Sequence, residues 1–463
     1  MKPESRRFYK SVAAVALPMA VQNLFSSLVS ASDTLMLGLL NQESLSAISL
    51  ASQISFIHHI LMFALTSGTA VLAAQYWGRG DRASVEKVLG ISLRWTLLGT
   101  AAISLAALLC PRQLMGVFTD DAILAGLGVP YLRIVSAAYL FTAVSQPCLT
   151  IMKTTDRVRR SSLFATSALI LNILLNALLI FGPFGLPCMG IAGAALATVL
   201  SRAVELALCL WENRRCDSAR IRLKNVFAGF PVLGRDFWRA TAPLLANMMI
   251  WAFAMAAYAA ILGHLGSDAV AAHSIADIVK NCVDCVGGGV GIGSGILLGH
   301  MLGRGELDRA RQDADRFVRL SVAIGIASGL VILLGIPLVL RAAHTLTGQA
   351  RHYLKYMLMM CSYYMIGRIV NTTFYNGIFT AGGDTRFGFW SDLINLWGVI
   401  LPTGFIAAYV LRLPVLAVYF ILYLDEFTKM PVVFAHYRKR HWLRNLTRDN
   451  PDAPAAARSD ADH

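Results

Sequence analysis

Long apolar runs alternate with short polar segments along the whole chain. Each run covers about 20 residues, enough for a helix to cross roughly 30 Å of hydrocarbon. The runs lie near residues 11–34, 45–72, 88–110, 128–150, 162–182, 190–211, 239–262, 269–299, 318–340, 354–380, 388–410 and 414–436. The pattern therefore predicts twelve transmembrane helices.

Composition agrees with this interpretation. Of the 463 residues, 56% are hydrophobic and 15% charged, against a charged share of about 25% in soluble proteins. Mean hydropathy is +0.58. These values exclude an ordinary soluble enzyme, a disordered chain, a collagen and a disulfide-stapled secreted scaffold. The expected class is an all-α polytopic membrane protein.

The net charge of +14 would suggest nucleic acid as a partner if the protein were soluble. The positions of the charges argue otherwise. If the N-terminus is cytoplasmic, 32 Lys and Arg residues lie in cytoplasmic segments, including 429–458, and six lie outside. Arg202, Lys280 and Arg368 remain within helices, and Arg202 is expected to pair with Glu205, three residues further on. This asymmetry places both termini in the cytoplasm and predicts no nucleic-acid partner.

An internal repeat divides the chain. A shift of 225 residues aligns 18–80 with 243–305 without a gap, and thirteen of the 63 positions are identical. Matches concentrate at turn and kink positions: Pro18 aligns with Pro243, and the Gly-Arg-Gly at 78–80 aligns with that at 303–305. Because six helices per half is an even number, both halves enter the membrane in the same direction, as parallel repeats.

The repeat predicts four segments. Residues 1–212 form an N-lobe with helices 1–6, and 213–238 form a cytoplasmic linker. Residues 239–440 form a C-lobe with helices 7–12, and the Pro/Ala/Asp-rich residues 441–463 form a disordered cytoplasmic tail.

Ionisable residues in the hydrocarbon are the candidates for function, because each costs about 2.5–3.5 kcal/mol to insert. Asp33 lies late in the first helix, without a basic residue next to it in sequence. A carboxylate there must pair, bind a cation or hold a proton. Its repeat counterpart is Tyr258, so only the first half carries this acid.

Amide and hydroxyl side chains extend this candidate site. Asn172 and Asn176 are one turn apart on the fifth helix, and the sixth helix contributes Thr198. With Asp33 they could form a hard-cation or proton site. The alternative is hydrogen bonding between the helices without a ligand.

A charged cluster belongs to the second half. Asp277, Lys280 and Asp284 share one face of the eighth helix, and Arg368 lies midway along the tenth. Their formal charges sum to zero. They form either a buried structural network or a second switch or substrate site between the halves.

Aromatic residues crowd helices 7 and 10. Packing is the default explanation for them, but Tyr258, Tyr364 and the polar Gln53 are also candidates to line a cavity for flat, cationic compounds through cation–π attraction. The glycine-rich string at 286–299 is expected to allow close helix packing. No HExxH, Walker A or strand-associated GxGxxG motif occurs in the sequence, so an enzyme is not expected.

Several segments together resemble the multidrug and toxic compound extrusion (MATE) family. They are ALPMAVQNLF in the first helix, ASDTLMLGLL at 31–40, the Asn172/Asn176 pair, GIAGAALAT at 190–198 and AGGDTRFGF at 381–389. The resemblance covers about residues 8–440. It implies a V-shaped pair of lobes around a central cavity, cation-coupled antiport, and a proton or sodium site at Asp33 accompanied by Asn172 and Thr198.

Two positions depart from the family's pattern. Asn176 stands where an aspartate is often found, so the site loses a charge. Helix 7 carries no acid and helix 10 carries Arg368, which argues against a sodium site in the second lobe. With one carboxylate left, a proton is favoured over sodium as the coupling ion. No metal is expected except sodium at Asp33.

The sequence thus predicts an exporter of amphipathic, cationic drugs or toxins, driven by proton or sodium entry. Alternating access would follow bending of the first helix at Pro18. The alternative is a flippase for lipid-linked glycans or another lipid of a related superfamily. Expected partners are a small-molecule substrate and the lipid bilayer, with no cofactor except a coupling sodium ion. A monomer in a bacterial inner membrane is expected.

Overall fold

The computed structural model describes residues 3–38, 42–182, 188–215, 219–344 and 346–449. Within these ranges the chain is helical, without a β-strand. The helices are α1 Pro3–Gly38, α2 Gln42–Arg79, α3 Arg82–Leu109, α4 Pro111–Gly116, α5 Ala122–Thr154, α6 Val158–Phe181, α7 Gly190–Arg215, α8 Leu223–Phe227, α9 Pro231–His264, α10 Ser267–Gly303, α11 Leu307–Ala342, α12 Gly348–Thr373, α13 Thr385–Asp392, α14 Leu401–Phe405, α15 Val415–Leu422 and α16 Asp425–Lys439. Three π-helical segments interrupt them: Phe374–Phe379, Leu393–Ile400 and Ile406–Val410.

Ten helical stretches of the described chain are long and apolar enough to cross a membrane. The two other predicted spans, 354–380 and 414–436, coincide with α12 and with α15–α16. Both carry charged residues at membrane depth, and the last one is also broken between Leu422 and Asp425. Twelve spans are therefore consistent with the structure, although hydropathy alone marks ten.

Two compact units divide the chain. The described parts of Met1–Asn23 and Ala242–Leu446 form one, here called the C unit, and those of Leu24–Thr241 and Thr447–His463 form the other, the N unit. The first 23 residues thus group with the second half, unlike the predicted boundary. The reason is close packing inside the C unit: a Cβ added at Gly289 would lie 2.7 Å from the carbonyl oxygen of Ala16.

The predicted linker, 213–238, is not a free loop in its described part. It contains α8 and the start of α9, where Phe237 is fully buried. Gly90 of α3 lies directly against α8, since a Cβ there would meet the carbonyl oxygen of Asn225 at 2.6 Å. The segment is therefore packed into the N unit.

The repeat is visible in matching turns. Gly80 and Gly305 have φ angles of 86° and 78°, a conformation that favours glycine. After α2, the amide of Gly80 donates to the Trp77 carbonyl at 2.9 Å. After α10, the amide of Gly305 donates to the Leu302 carbonyl at 3.1 Å. Together with the hydrogen bonds that the next backbone amides donate, these two hydrogen bonds form the same glycine-terminated helix end in both halves.

Pro18 lies inside α1 and its repeat partner Pro243 lies inside α9. Both helices continue through the proline. The predicted bending of the first helix at Pro18 remains a prediction.

The structure differs from the predicted tail at its start. Trp442 is 1% exposed, and its ring stacks on Tyr437 with centroids 5.8 Å apart. Leu446 packs against Gly383. Basic residues surround this tryptophan in the sequence and conceal its burial. Residues 450–463 lie outside the described ranges.

Candidate functional site

The predicted amide cluster forms between α6 and α7 in the N unit. Asn172 Nδ2 lies 3.4 Å from both Thr198 Oγ1 and Ser201 Oγ, and Asn176 Nδ2 donates to Asn172 Oδ1 at 3.2 Å. Both asparagines are buried. Asn172, Asn176 and Thr198 thus lie together, and their role as a cation or proton site stays a prediction. Ser201 was missed, although its place three residues after Thr198 could have revealed it.

A glycine brings the two helices together. A Cβ at Gly193 of α7 would lie 2.5 Å from the carbonyl oxygen of Leu179 in α6. Only a glycine allows this approach, and it lets the short side chains of Thr198 and Ser201 reach Asn172. The GIAGAALAT segment thus positions the cluster.

Asp33 belongs to α1 and to the N unit. Its side chain lies outside the described part of the structure. Its proximity to Asn172 therefore stays a prediction.

In the C unit the four predicted charged residues form two ion pairs. Lys280 Nζ lies 2.5 Å from Asp277 Oδ1, and Arg368 Nε lies 3.2 Å from Asp284 Oδ2. The predicted pairing of Arg202 with Glu205 in the N unit also occurs, at 2.7 Å.

The network of the C unit is larger than predicted, because α16 adds Glu426 and Lys429. Glu426 Oε1 lies 3.3 Å from Arg368 Nη1, and Glu426 Oε2 lies 3.0 Å from Lys429 Nζ. Lys429 also pairs with Asp392 at 3.3 Å, and Asn247 Nδ2 donates to that carboxylate at 2.8 Å. We refer to Asp284, Arg368, Glu426, Lys429 and Asp392 as the ion chain.

The ion chain corrects one count made from the sequence. Lys429 was assigned to the cytoplasmic segment 429–458, yet its side chain is 8% exposed and held by two carboxylates. It belongs with the buried charges. The signal was available: Glu426 and Lys429 are three residues apart, the spacing of an intrahelical ion pair.

A helix break positions these acids. α15 ends at Leu422 and α16 begins at Asp425, so Asp425 and Glu426 occupy the first turn of a new helix. The positive end of the helix dipole stabilises carboxylates there. Two of the π-helical segments, Phe374–Phe379 and Leu393–Ile400, lie in the spans that supply Arg368 and Asp392. Such segments frequently occur at functional sites.

The family model described as MatE matches residues 18–178 and 243–422. The chain belongs to the MatE family. The two matches begin 225 residues apart, the same shift that aligns the repeat. MatE proteins are transporters, so the protein is a multi-pass membrane transporter of small molecules.

Relatives match this MatE chain over nearly its full length. It is 22% identical over 446 residues to the uncharacterized transporter YisQ of Bacillus subtilis, and the aligned region covers 96% of each chain. It is 22% identical to a probable multidrug resistance protein NorM of Thermotoga maritima, over 97% of this chain and 96% of the relative. It is 25% identical to the multidrug resistance protein MdtK of Edwardsiella ictaluri, over 86% and 87%.

Solved structures show the same MatE fold. An outward-facing multidrug resistance MATE family transporter of the MOP superfamily aligns with a TM-score of 0.86 at 18% identity, over 93% of this chain and 95% of that one. A MOP superfamily transporter from Pyrococcus furiosus aligns with a TM-score of 0.85 at the same identity and coverage. The all-α fold with two six-helix lobes is thereby confirmed.

The residues predicted to line a cavity differ in exposure. Tyr258 and Tyr364 are buried in the apolar core of the C unit, whereas Gln53 is exposed on α2 in the N unit. Lys280 Nζ lies 5.8 Å from the ring centroid of Tyr364 and 5.3 Å from that of Tyr423. In this MatE chain the cation over Tyr364 and Tyr423 is thus the protein's own Lys280. A substrate-lining role for Tyr258, Tyr364 and Gln53 stays a prediction.

The glycine-rich string of α10 packs helices closely, as predicted. A Cβ at Gly291 would lie 2.9 Å from Thr372 Cγ2, and one at Gly295 would lie 3.0 Å from the Asn376 carbonyl oxygen. Among the side chains that the structure describes, no three His, Cys, Asp or Glu residues converge as metal ligands.

Proposed function

We propose that the protein is a cation-coupled antiporter that exports amphipathic, cationic drugs or toxins. Family membership supports transport, and the relatives named as multidrug resistance proteins support drugs as the substrate class. The coupling ion is proposed to be a proton, with sodium as the alternative.

The observation that carries the proposal is the neutral amide–hydroxyl cluster in the N unit. Asn172, Asn176, Thr198 and Ser201 are all polar and all uncharged. A carboxylate beside them gains hydrogen bonds but no counter-charge. Asp33 would therefore be most stable there when it carries a proton or holds a monovalent cation.

Coupling follows from this difference. Ion binding neutralises Asp33 and changes the relative free energies of the inward- and outward-open states, whereas a cationic substrate competes for the same negative charge. Each ligand shifts the equilibrium only by its difference in affinity for the two states. The proposed setting is a bacterial inner membrane, with both termini in the cytoplasm and the protein acting as a monomer.

The test is ethidium efflux from proteoliposomes, with proton and sodium gradients imposed separately. We expect gradient-driven efflux by the wild type and a fall to the level of protein-free liposomes for Asp33→Asn. The matched control is Asp120→Asn, the same chemical change at an exposed loop position between α4 and α5. The gradient that drives efflux identifies the ion.

Two results would contradict the proposal. Full gradient-driven efflux by Asp33→Asn would remove Asp33 from the coupling site. Wild-type protein that transfers a lipid-linked glycan between leaflets but moves no cation under either gradient would replace antiport by the flippase alternative.

A further inference from the structure

Two adjacent carboxylates at the start of α16 have opposite surroundings. Glu426 Oε1 accepts hydrogen bonds from Arg368 and Tyr364, and Oε2 accepts from Asn371 and Lys429. Both of its oxygens are thus saturated with donors. Asp425 is 5% exposed, and its Oδ1 atom has no hydrogen-bond partner.

The charge balance around Asp425 is negative. The ion chain and Asp425 together carry four carboxylates and two cations. Both cations are already engaged: Arg368 holds Asp284 and Glu426, and Lys429 holds Glu426 and Asp392. Asp425 is therefore the carboxylate left without a counter-ion contact. Leaving such a charge at membrane depth is costly.

A second orphan polar atom lies in the same core. The hydroxyl of Tyr258 on α9 is buried without a partner, and the residue is 7% exposed. Tyr258 is near enough to Asp425 for the two groups to interact electrostatically. Two buried polar side chains thus have unused hydrogen-bonding capacity, as expected around a site that gains and loses a small ligand.

We propose that the Asp425 side chain is a second exchangeable proton site, in the C unit, in addition to the one proposed at Asp33. A proton removes the uncompensated charge without requiring further ligands. A metal cation would need several oxygen donors, and no three His, Cys, Asp or Glu side chains converge as metal ligands in the described ranges.

Titratable and charged groups of three helices of the C unit interact with Asp425: Tyr258 of α9, Tyr363, Tyr364 and Arg368 of α12, and Glu426 and Lys429 of α16. Asp284 of α10 and Asp392 of α13 lie one step further along the ion chain, paired with Arg368 and Lys429. The two cations among them, Arg368 and Lys429, are held at short distances by other carboxylates.

The backbone around Asp425 connects the site to an irregular helix. Asn395, in the π-helical segment Leu393–Ile400, donates to the Asp425 carbonyl at 2.9 Å and accepts from Thr428 at 2.7 Å. The carboxyl group stands at the break between α15 and α16. Gain or loss of its proton would therefore act on a helix end and not on the middle of a rigid helix.

The first test is infrared difference spectroscopy of the reconstituted protein between acidic and alkaline pH. The acidic limit is set at about pH 5.5, above the range in which exposed carboxyl groups titrate. The carbonyl stretch of a carboxyl group still protonated there should disappear as pH rises, and Asp425→Asn should lose one carboxyl's share of that band. Asp33→Asn should retain this share, and Asp120→Asn should match the wild type. A folded Asp425→Asn whose difference spectrum equals that of the wild type would overturn the proposal, as would loss of the same band on adding sodium at constant pH.

The second test is thermal unfolding as a function of pH. Asparagine mimics the protonated acid, so Asp425→Asn and the wild type should melt at the same temperature in acid. As pH rises, the melting temperature of the wild type should fall below that of the variant. The reason is that the native state binds a proton that the unfolded state has already released, so removing that proton destabilises the native state. A variant destabilised at every pH as strongly as Asp284→Asn would mean that Asp425 is ionised and needed as such.

A role of this proton in transport rests on the proposed function, but its presence does not. If the wild type shows no gradient-driven efflux while Asp425→Asn loses its infrared band, antiport fails and the proton site stands. If wild-type efflux is proton-driven and Asp425→Asn leaves the infrared band unchanged, antiport stands and the proton site at Asp425 fails.

Discussion

The two units share a scaffold and differ in what they bury. Each half of the repeat has a proline inside its first long helix, although Pro18 and Pro243 both lie in the C unit. The same glycine-terminated turn occurs at Gly80 in the N unit and at Gly305 in the C unit. The described part of the N unit places neutral amides and hydroxyls between regular helices. The C unit places an ion chain between helices that are broken or π-helical.

This contrast shows which residues the duplication preserves. Turns and kinks recur because each half must fold through the same backbone path. The polar and charged residues of the candidate sites do not recur: Asp33 aligns with Tyr258, and Asp284 aligns with His59. After the duplication, each half acquired its own electrostatic arrangement within a common frame.

The largest expected difference in stability between the two units concerns their buried glutamates, Glu426 in the C unit and Glu205 in the N unit. Glu426→Gln leaves Arg368 and Lys429 with an excess of positive charge in the core, and should cost about 3–5 kcal/mol of stability. Glu205→Gln in the N unit removes one partner from Arg202, whose side chain is 29% exposed and can be hydrated, and should cost about 1–3 kcal/mol. Thermal unfolding in detergent measures both, and equal losses would contradict the contrast.

A medium effect should be the same in both units. Gly329 of α11 faces α12 so closely that a Cβ would lie 2.3 Å from the Ser362 carbonyl oxygen, and Gly193 faces Leu179 in the same manner. Alanine at either position should cost about 1–3 kcal/mol through overpacking. Gly335→Ala, also in α11 but with nothing near its Cβ, should stabilise by up to about 1 kcal/mol. Unfolding temperatures that fail to separate Gly329→Ala from Gly335→Ala would refute the packing argument.

The smallest effect concerns the neutral cluster. Thr198→Val removes one of two hydroxyls near Asn172 and should cost about 1 kcal/mol, because Ser201 remains. Combination with Ser201→Ala leaves the amide without either hydroxyl. The double variant should then lose more stability than the two single variants together. If the losses in thermal unfolding simply add, the two hydroxyls do not substitute for each other in hydrogen bonding to Asn172.

Much of the fold could be predicted from the sequence because hydrophobic length and the repeat are local signals. Twelve spans and two halves follow from spacing, and the grouping of Asn172 with Thr198 follows from their polarity inside apolar helices. The ion chain was only half predicted: Asp284 and Arg368 were singled out, whereas Asp392, Glu426 and Lys429 were not, although Glu426 and Lys429 lie in the middle of the predicted run 414–436. A helix break that turns such residues inward is a tertiary feature and leaves little trace in hydropathy.

The burial of Trp442 illustrates the same limit. Its neighbours Arg440, His441 and Arg444 resemble those of a solvated tail, and only the packing against Tyr437 distinguishes it. One aromatic residue in a basic segment gives no hydrophobic periodicity, so the sequence does not predict that this segment packs against the protein.

The interrupted last span has a consequence for biogenesis. α15 has only eight residues, and Asp425, Glu426 and Lys429 follow within the same span. Since a charged residue adds about 2.5–3.5 kcal/mol to translocon-mediated insertion, we expect this segment to integrate poorly by itself. Arg368 of α12 supplies the missing counter-charge, so the earlier helix would have to wait at the translocon for the last one. A nascent chain truncated before Val415 would then leave Arg368 without its Glu426 partner.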